Sequence, residues 1–179
     1  MSYYQFLSKK VKGGCPRFAI VGHFLVKVVD VYDGDTITVV FDPNMDLFKV
    51  KNQKLIKKNK KNKKYRFYEH KVRMYGYDSA EMRQPKNEPD RIELKKQAVK
   101  ARDVLRDMVL DKMVLLEVLD DLKEKYGRLL GNVYLLEKEQ LDELAKGKIP
   151  IIEVKNLDNI NKFMVDHHYG KPYFGGHKS

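Results

Sequence analysis

Runs of β-branched and aromatic residues dominate the first part of the chain. Residues 18–31, FAIVGHFLVKVVDV, and residues 36–41, TITVVF, flank the turn residues Asp33 and Gly34, a pattern that predicts two strands of a meander. Over residues 65–77 large apolar and charged side chains alternate imperfectly, as in a half-buried strand, so a third long strand is expected there. Pro85 and Pro89 mark a loop. Asp90, with Glu93 three residues later, has the spacing of a capping box, and Leu94, Ala98, Ala101, Leu105 and Met108 then form one buried helical stripe. Two apolar runs, MVLLEVLD and LLGNVYLL, flank the polar DLKEKYGR and bring the strand count to five. Residues 137–148 read as a charged helix and residues 151–154 as a short strand. Ile160, Phe163, Met164 and His167 have the spacing of one more helix face, and the tail YGKPYFGGHKS is expected to be loop.

Five strands followed by helices suit an α+β, mainly β, architecture: a small antiparallel five-stranded barrel of the oligonucleotide/oligosaccharide-binding (OB) type with two or three packing helices. A chain of 179 residues with 42% hydrophobic content fits a single domain. We expect an N-terminal arm over residues 1–17 and a domain over 18–179, with insertions at 42–64 and 137–150. The sequence has no apolar run long enough to span a membrane, and MSYYQFLSKKVKGG lacks the apolar core of a secretory signal. An intracellular location, in a viral or host cytoplasm or nucleus, is therefore expected. Cys15 is the sole cysteine, which excludes an intrachain disulfide and a cysteine-rich zinc site.

Charge sharpens this picture. Of the net +11, nine charges come from lysines within residues 49–64, KVKNQKLIKKNKKNKK, a stretch without acids, which leaves +2 for the rest of the chain. A segment so dense in like charge resists packing and either stays solvated or tethers a polyanion. In the second case affinity comes from counterion release, falls steeply with salt and carries no base specificity.

Three motifs place charged residues beside strand ends. In YDGDT, residues 32–36, Asp33-Gly34 alone is a hairpin turn, but Asp35 opens a strand where an inward carboxylate needs a metal or a partner charge. In RMYGYDSAEMR, residues 73–83, strand alternation sets Arg73 on one face while Asp78, Ser79 and Glu81 follow where strand gives way to loop. In EKYGRLLGNVY, Arg128 precedes an apolar strand, with Lys125 and Tyr126 before it. Taken singly these are hairpins and salt-bridge clusters. Together they hold the parts that phosphodiester hydrolysis needs: a guanidinium, carboxylates for a hard cation and a carboxylate for water. The five histidines show no ligand spacing and receive no role.

The order DGDT, then R-x4-D-S-A-E, then a helix, then KYGR before the last barrel strand, resembles the staphylococcal nuclease (thermonuclease) family over residues 18–134, and loosely over 151–173. The resemblance implies a calcium-dependent endonuclease that hydrolyses DNA and RNA with little sequence preference and leaves 3′-phosphate ends, acting as a monomer. It implies calcium on Asp35, Asp78 and the carbonyl of Ser79. It further implies catalytic roles for Arg73, Glu81 and Arg128, and substrate contacts for Lys125, Tyr126 and Tyr173. The family's usual D-T-P-E reads Asp78-Ser79-Ala80-Glu81 here, so a proline that fixes a backbone angle is missing. The lysine loop and early ending are similar to compact variants encoded by large DNA viruses.

Two other classes remain open at this stage: a noncatalytic nucleic-acid-binding module on the same barrel, and a packaging protein that condenses polyanions with its lysine loop. Deleting residues 49–64 separates them. For an enzyme, the deletion raises KM for long DNA while dinucleotide turnover persists; for a packaging protein, all DNA interaction disappears in a filter-binding assay.

Overall fold

The computed structural model describes residues 20–44, 46–47, 67–119 and 127–174. Strands β1 (Gly22–Val31), β2 (Thr36–Phe41), β3 (Tyr68–Met74), β5 (Met113–Val118) and β6 (Leu129–Leu135) close a barrel in the order β1-β2-β3-β6-β5, with β5 returning to β1. The OB-type barrel expected from the pattern is present. It is mixed, however, and not wholly antiparallel: β3 and β6 run parallel, with Val72 opposite Leu129 and Arg73 opposite Leu130. Parallel neighbours need a long crossover, here supplied by β4 (Gly76–Asp78), α1 (Arg91–Val109) and β5.

The barrel interior follows the strand alternation. Val26, Val28, Ile37, Val39, Val72, Met74, Val114, Leu116 and Val133 point inward and are fully buried. Helix α1 (Arg91–Val109) closes one side with Ala98, Ala101, Leu105 and Val109, whereas Leu94 and Met108 of the expected stripe are only half-buried. The Asp90 side chain makes no cap bond, so the expected capping box is absent there; it occurs instead at Glu137 and Gln140, opening α2 (Lys138–Ala145). Helix α3 (Ile160–Asp166) adds Ile160 and Met164 to the core, while His167 stays exposed and stacks on Phe163 with ring centroids 4.0 Å apart. A second cluster of Leu47, Leu115, Tyr134, Leu136, Ile152 and Leu157 covers the outer face of β5 and β6. Burial on both faces explains why these strands read as continuous apolar runs and not as alternating ones.

Three local expectations are corrected. The long strand over 65–77 is two strands: the chain breaks at Tyr75, where Gly76 has φ +90°, and β4 (Gly76–Asp78) leaves the barrel. The tail is not all loop, because β7 (Lys171–Tyr173) pairs antiparallel with β4 in a separate two-stranded sheet. Residues 151–154 form no strand; a 3₁₀ turn, Val154–Asn156, occurs there. The N-terminal arm and the lysine-rich stretch lie outside the described residues.

Buried Asn161 fixes the corner between β3 and β4. Its Nδ2 donates to the carbonyls of Tyr75 (2.8 Å) and Gly131 (3.0 Å), and its Oδ1 accepts from the Val133 amide (3.0 Å). One side chain thus joins α3, β6 and the corner from which β4 departs. Asn161→Ala orphans buried backbone groups and is expected to cost about 3 kcal/mol, measured as a lower urea midpoint at unchanged slope.

Candidate functional site

The β1–β2 turn carries the first acidic motif and is held from several sides. Tyr32 N donates to the Thr36 carbonyl (3.0 Å), and the Asp35 amide donates to Asp33 Oδ1 (3.1 Å), an Asx-type bond that rounds the turn. Tyr77, almost fully buried, donates its hydroxyl to the Gly34 carbonyl at 2.7 Å. Burial pushes the Tyr77 phenol upward in pKa, so it remains a donor at any physiological pH. Gly34 itself is pressed against α1 and the end of β4: a Cβ there would lie 2.8 Å from the Ala101 Cβ and 2.8 Å from the Ser79 Cβ. Only glycine fits this approach.

Arg73 is the centre of the site. It lies on β3, opposite Thr36 of β2, and its side chain is 12% exposed. Its Nη1 is ion-paired with Asp35 Oδ1, and its Nη2 contacts Asp78 Oδ1 at 2.6 Å and the Tyr77 carbonyl at 3.2 Å. Asp35 Oδ2 meanwhile accepts the Ser79 amide at 2.7 Å, and Asp35 Oδ1 accepts the Thr36 hydroxyl at 3.1 Å. Segments more than 40 positions apart in sequence are thereby joined through one guanidinium and one carboxylate.

The structure brings together Asp35, Arg73, Asp78 and Ser79. Arg128 stands immediately before β6, half-buried, and the parallel register sets it beside the Lys71–Val72 stretch of β3. Its charge reaches Asp33: burial raises the Asp33 carboxyl above its usual range, while a hydrogen bond from Thr36 and the charges of Arg73 and Arg128 oppose that rise. Glu81 is exposed, two residues beyond Ser79 in the loop after β4, and its carbonyl accepts from Gln84 Nε2 at 2.7 Å. Tyr173 is half-buried on β7 opposite Gly76, so it is not at the Asp78 end of β4; Lys171 occupies that position. Lys125 and Tyr126 lie outside the described residues.

Sequence reasoning missed Asp33 and Tyr77. Asp33 was visible as the first acid of DGDT, but its burial was not; Tyr77 looked like one more strand aromatic.

The donor set suits a hard cation. Arg73 pairs with both Asp35 and Asp78 and its charge is felt by Asp33, so carboxylates outnumber the guanidinium in a partly buried place, and every donor offered is oxygen. Among the described residues no three His, Cys, Asp or Glu side chains form a metal cage, so a cation on Asp35 and Asp78 needs further oxygens from backbone, water or phosphate. That open coordination is compatible with a phosphate ligand.

A closed five-stranded barrel with a cationic and acidic cluster at one end is a nucleic-acid-binding kind of fold. The family model described as staphylococcal nuclease homologue matches residues 71–174, more than half of the chain, and the chain belongs to that family. No curated protein matches it. Among the described residues no helix is long and apolar enough to cross a membrane.

Removing Arg73 leaves Asp35 buried without its cation. In the presence of chelator Arg73→Ala is expected to lose about 3 kcal/mol of stability, in the range for breaking a buried pair, and urea denaturation measures it.

Proposed function

We propose that this chain is a calcium-dependent endonuclease that hydrolyses phosphodiester bonds of DNA and RNA with little sequence preference and leaves 3′-phosphate ends. The observation that carries this reading is the bridging of Asp35, in the β1–β2 turn, and Asp78, at the end of β4, by the largely shielded Arg73. Membership of the nuclease family supports the same reaction class.

In this reading Asp35, Asp78 and the Ser79 carbonyl would hold calcium, which would supply positive charge against the phosphate. Arg73 and Arg128 supply planar donors that match two phosphate oxygens, and they stabilise the charge that builds as water adds to phosphorus. A phosphate that engages Arg73 competes with Asp35 and Asp78 for it, so substrate binding loosens the carboxylates from the guanidinium. Glu81 accepts the proton of the attacking water, a role open to it because its side chain is exposed and not packed into the barrel. The P–O5′ bond breaks, and the 5′ oxygen departs with a proton from solvent. Lys125, Tyr126 and Tyr173 are proposed to contact the flanking nucleotide. The Asp33 carboxylate, which accepts the Asp35 amide, and the Tyr77 hydroxyl keep the Asp35 turn in place and touch no substrate.

Digestion of DNA in calcium, in magnesium and in chelator, followed by mapping of product ends, tests activity, metal and polarity together; binding without cleavage under all three conditions identifies a noncatalytic module instead. Glu81→Gln is expected to lower kcat by about tenfold to a hundredfold with an unchanged denaturation midpoint. Wild-type turnover in that variant removes Glu81 from the mechanism. Arg73→Lys should also slow turnover, because an ammonium cannot reproduce a two-pronged grip.

A further inference from the structure

Two exposed residues next to the cluster have no part in the mechanism above. Tyr32, immediately before the Asp33 turn, leaves 52% of its surface exposed, and the Lys71 ammonium lies 5.8 Å from the centre of its ring. Lys71 is exposed and, among the described residues, makes no ion pair despite the acidic turn nearby. It sits two positions before Arg73 on β3; Val72 and Met74 face the core, so Lys71 and Arg73 share the other side of the strand. Two residues along a strand span roughly 6.6 Å, a distance suited to neighbouring phosphates on an unstacked strand. Arg128 flanks the same stretch from β6, because Val72 is opposite Leu129 in the parallel register.

We infer that Tyr32 and Lys71 form a subsite for the nucleotide adjacent to the one cut. The Tyr32 ring takes an unstacked base, and Lys71 takes the next phosphate along from Arg73. This rests on the nuclease reading of the Arg73 cluster. The chemistry favours single-stranded nucleic acid: an exposed phenol face offers sequence-tolerant stacking, available only to a base that is not already stacked, and a lysine without a carboxylate partner offers a point charge to phosphate. Lys71 and Arg73 then follow the backbone, with Arg128, just before β6, alongside Lys71 and the ring beside them. Lys71 has a further consequence, because its hold on the Tyr32 face presents the ring at a fixed angle before substrate arrives.

The test is binding of a fluorescein-labelled octathymidylate, followed by anisotropy in chelator across a salt series, so that no turnover is needed. Lys71→Ala and Tyr32→Ala should each weaken binding about fivefold, the low end for one base stack, with circular dichroism unchanged. Lys71→Ala should also lower the log–log salt slope by about 0.7, whereas Tyr32→Ala leaves the slope as it is and Tyr32→Phe restores affinity. Both losses should be larger for the octanucleotide than for a dinucleotide. Wild-type affinity in both alanine variants, or equal losses at both lengths, overturns the subsite. Wild-type protein that binds but never cleaves in calcium overturns the nuclease reading and leaves the subsite standing; cleavage with unaffected variants does the reverse.

Discussion

Arg73 carries the constraint on which the site depends. A guanidinium that is mostly shielded from water needs anionic partners, and two carboxylates brought close to each other need a cation. Asp35 comes from the β1–β2 turn and Asp78 from the end of β4, and neither is held near the other by backbone pairing alone. The shared arginine closes that gap, and the bond from the Ser79 amide to Asp35 adds a second tie across the same seam. The barrel sets Arg73 opposite Thr36, Asn161 anchors the corner at which β4 leaves, and Tyr77 secures the turn at Gly34. Each of these contacts lies outside the charged cluster and governs where its members stand.

Much of this was readable in the chain, for physical reasons. Strand alternation in β1 and β3 reflects one more buried and one more exposed face, and the pattern carries over directly to Val26, Val28, Val72 and Met74 in the core. The cluster members Asp35, Arg73, Asp78 and Ser79 were legible because short motifs at strand ends keep their spacing whatever the rest of the fold does. What failed was nonlocal or purely conformational. Alternation, though imperfect, continues through residues 65–77, yet Gly76 takes a positive φ and the strand departs. Strand β7 contains a proline and spans three residues, so only its partner β4 reveals it. Asp90 and Glu93 have the right spacing for a cap, but spacing does not fix the rotamer or backbone angle that makes the bond. Arg128 was legible as a motif, whereas its reach to Asp33 depends on β6 lying parallel to β3, which no local pattern announces.

The outer face of β5 and β6 shows the same division between local and distant causes. Leu115 and Leu136 look like core residues in sequence, and they are, but in a separate cluster made by Leu47, Ile152 and Leu157. Beside it Glu117 accepts from Asn132 Nδ2 and the Tyr134 hydroxyl, each at 2.9 Å. Burial, followed by that bond to Glu117, pushes the Tyr134 phenol up to about 12. The segment containing α2 therefore covers apolar surface at one edge of this face and leaves a satisfied polar network at the other.

The parallel seam between β3 and β6 bears on how the molecule matures. Its two strands are separated in the chain by β4, α1 and β5, so joining them must await a long stretch of intervening chain. Arg128 reaches the neighbourhood of Asp33 only through that closure. A half-made protein emerging from a ribosome, with only β1 to β3 formed, consequently holds Asp33, Asp35 and Arg73 but neither Asp78 nor Arg128, and the complete charge pattern arises late, together with the sealed barrel.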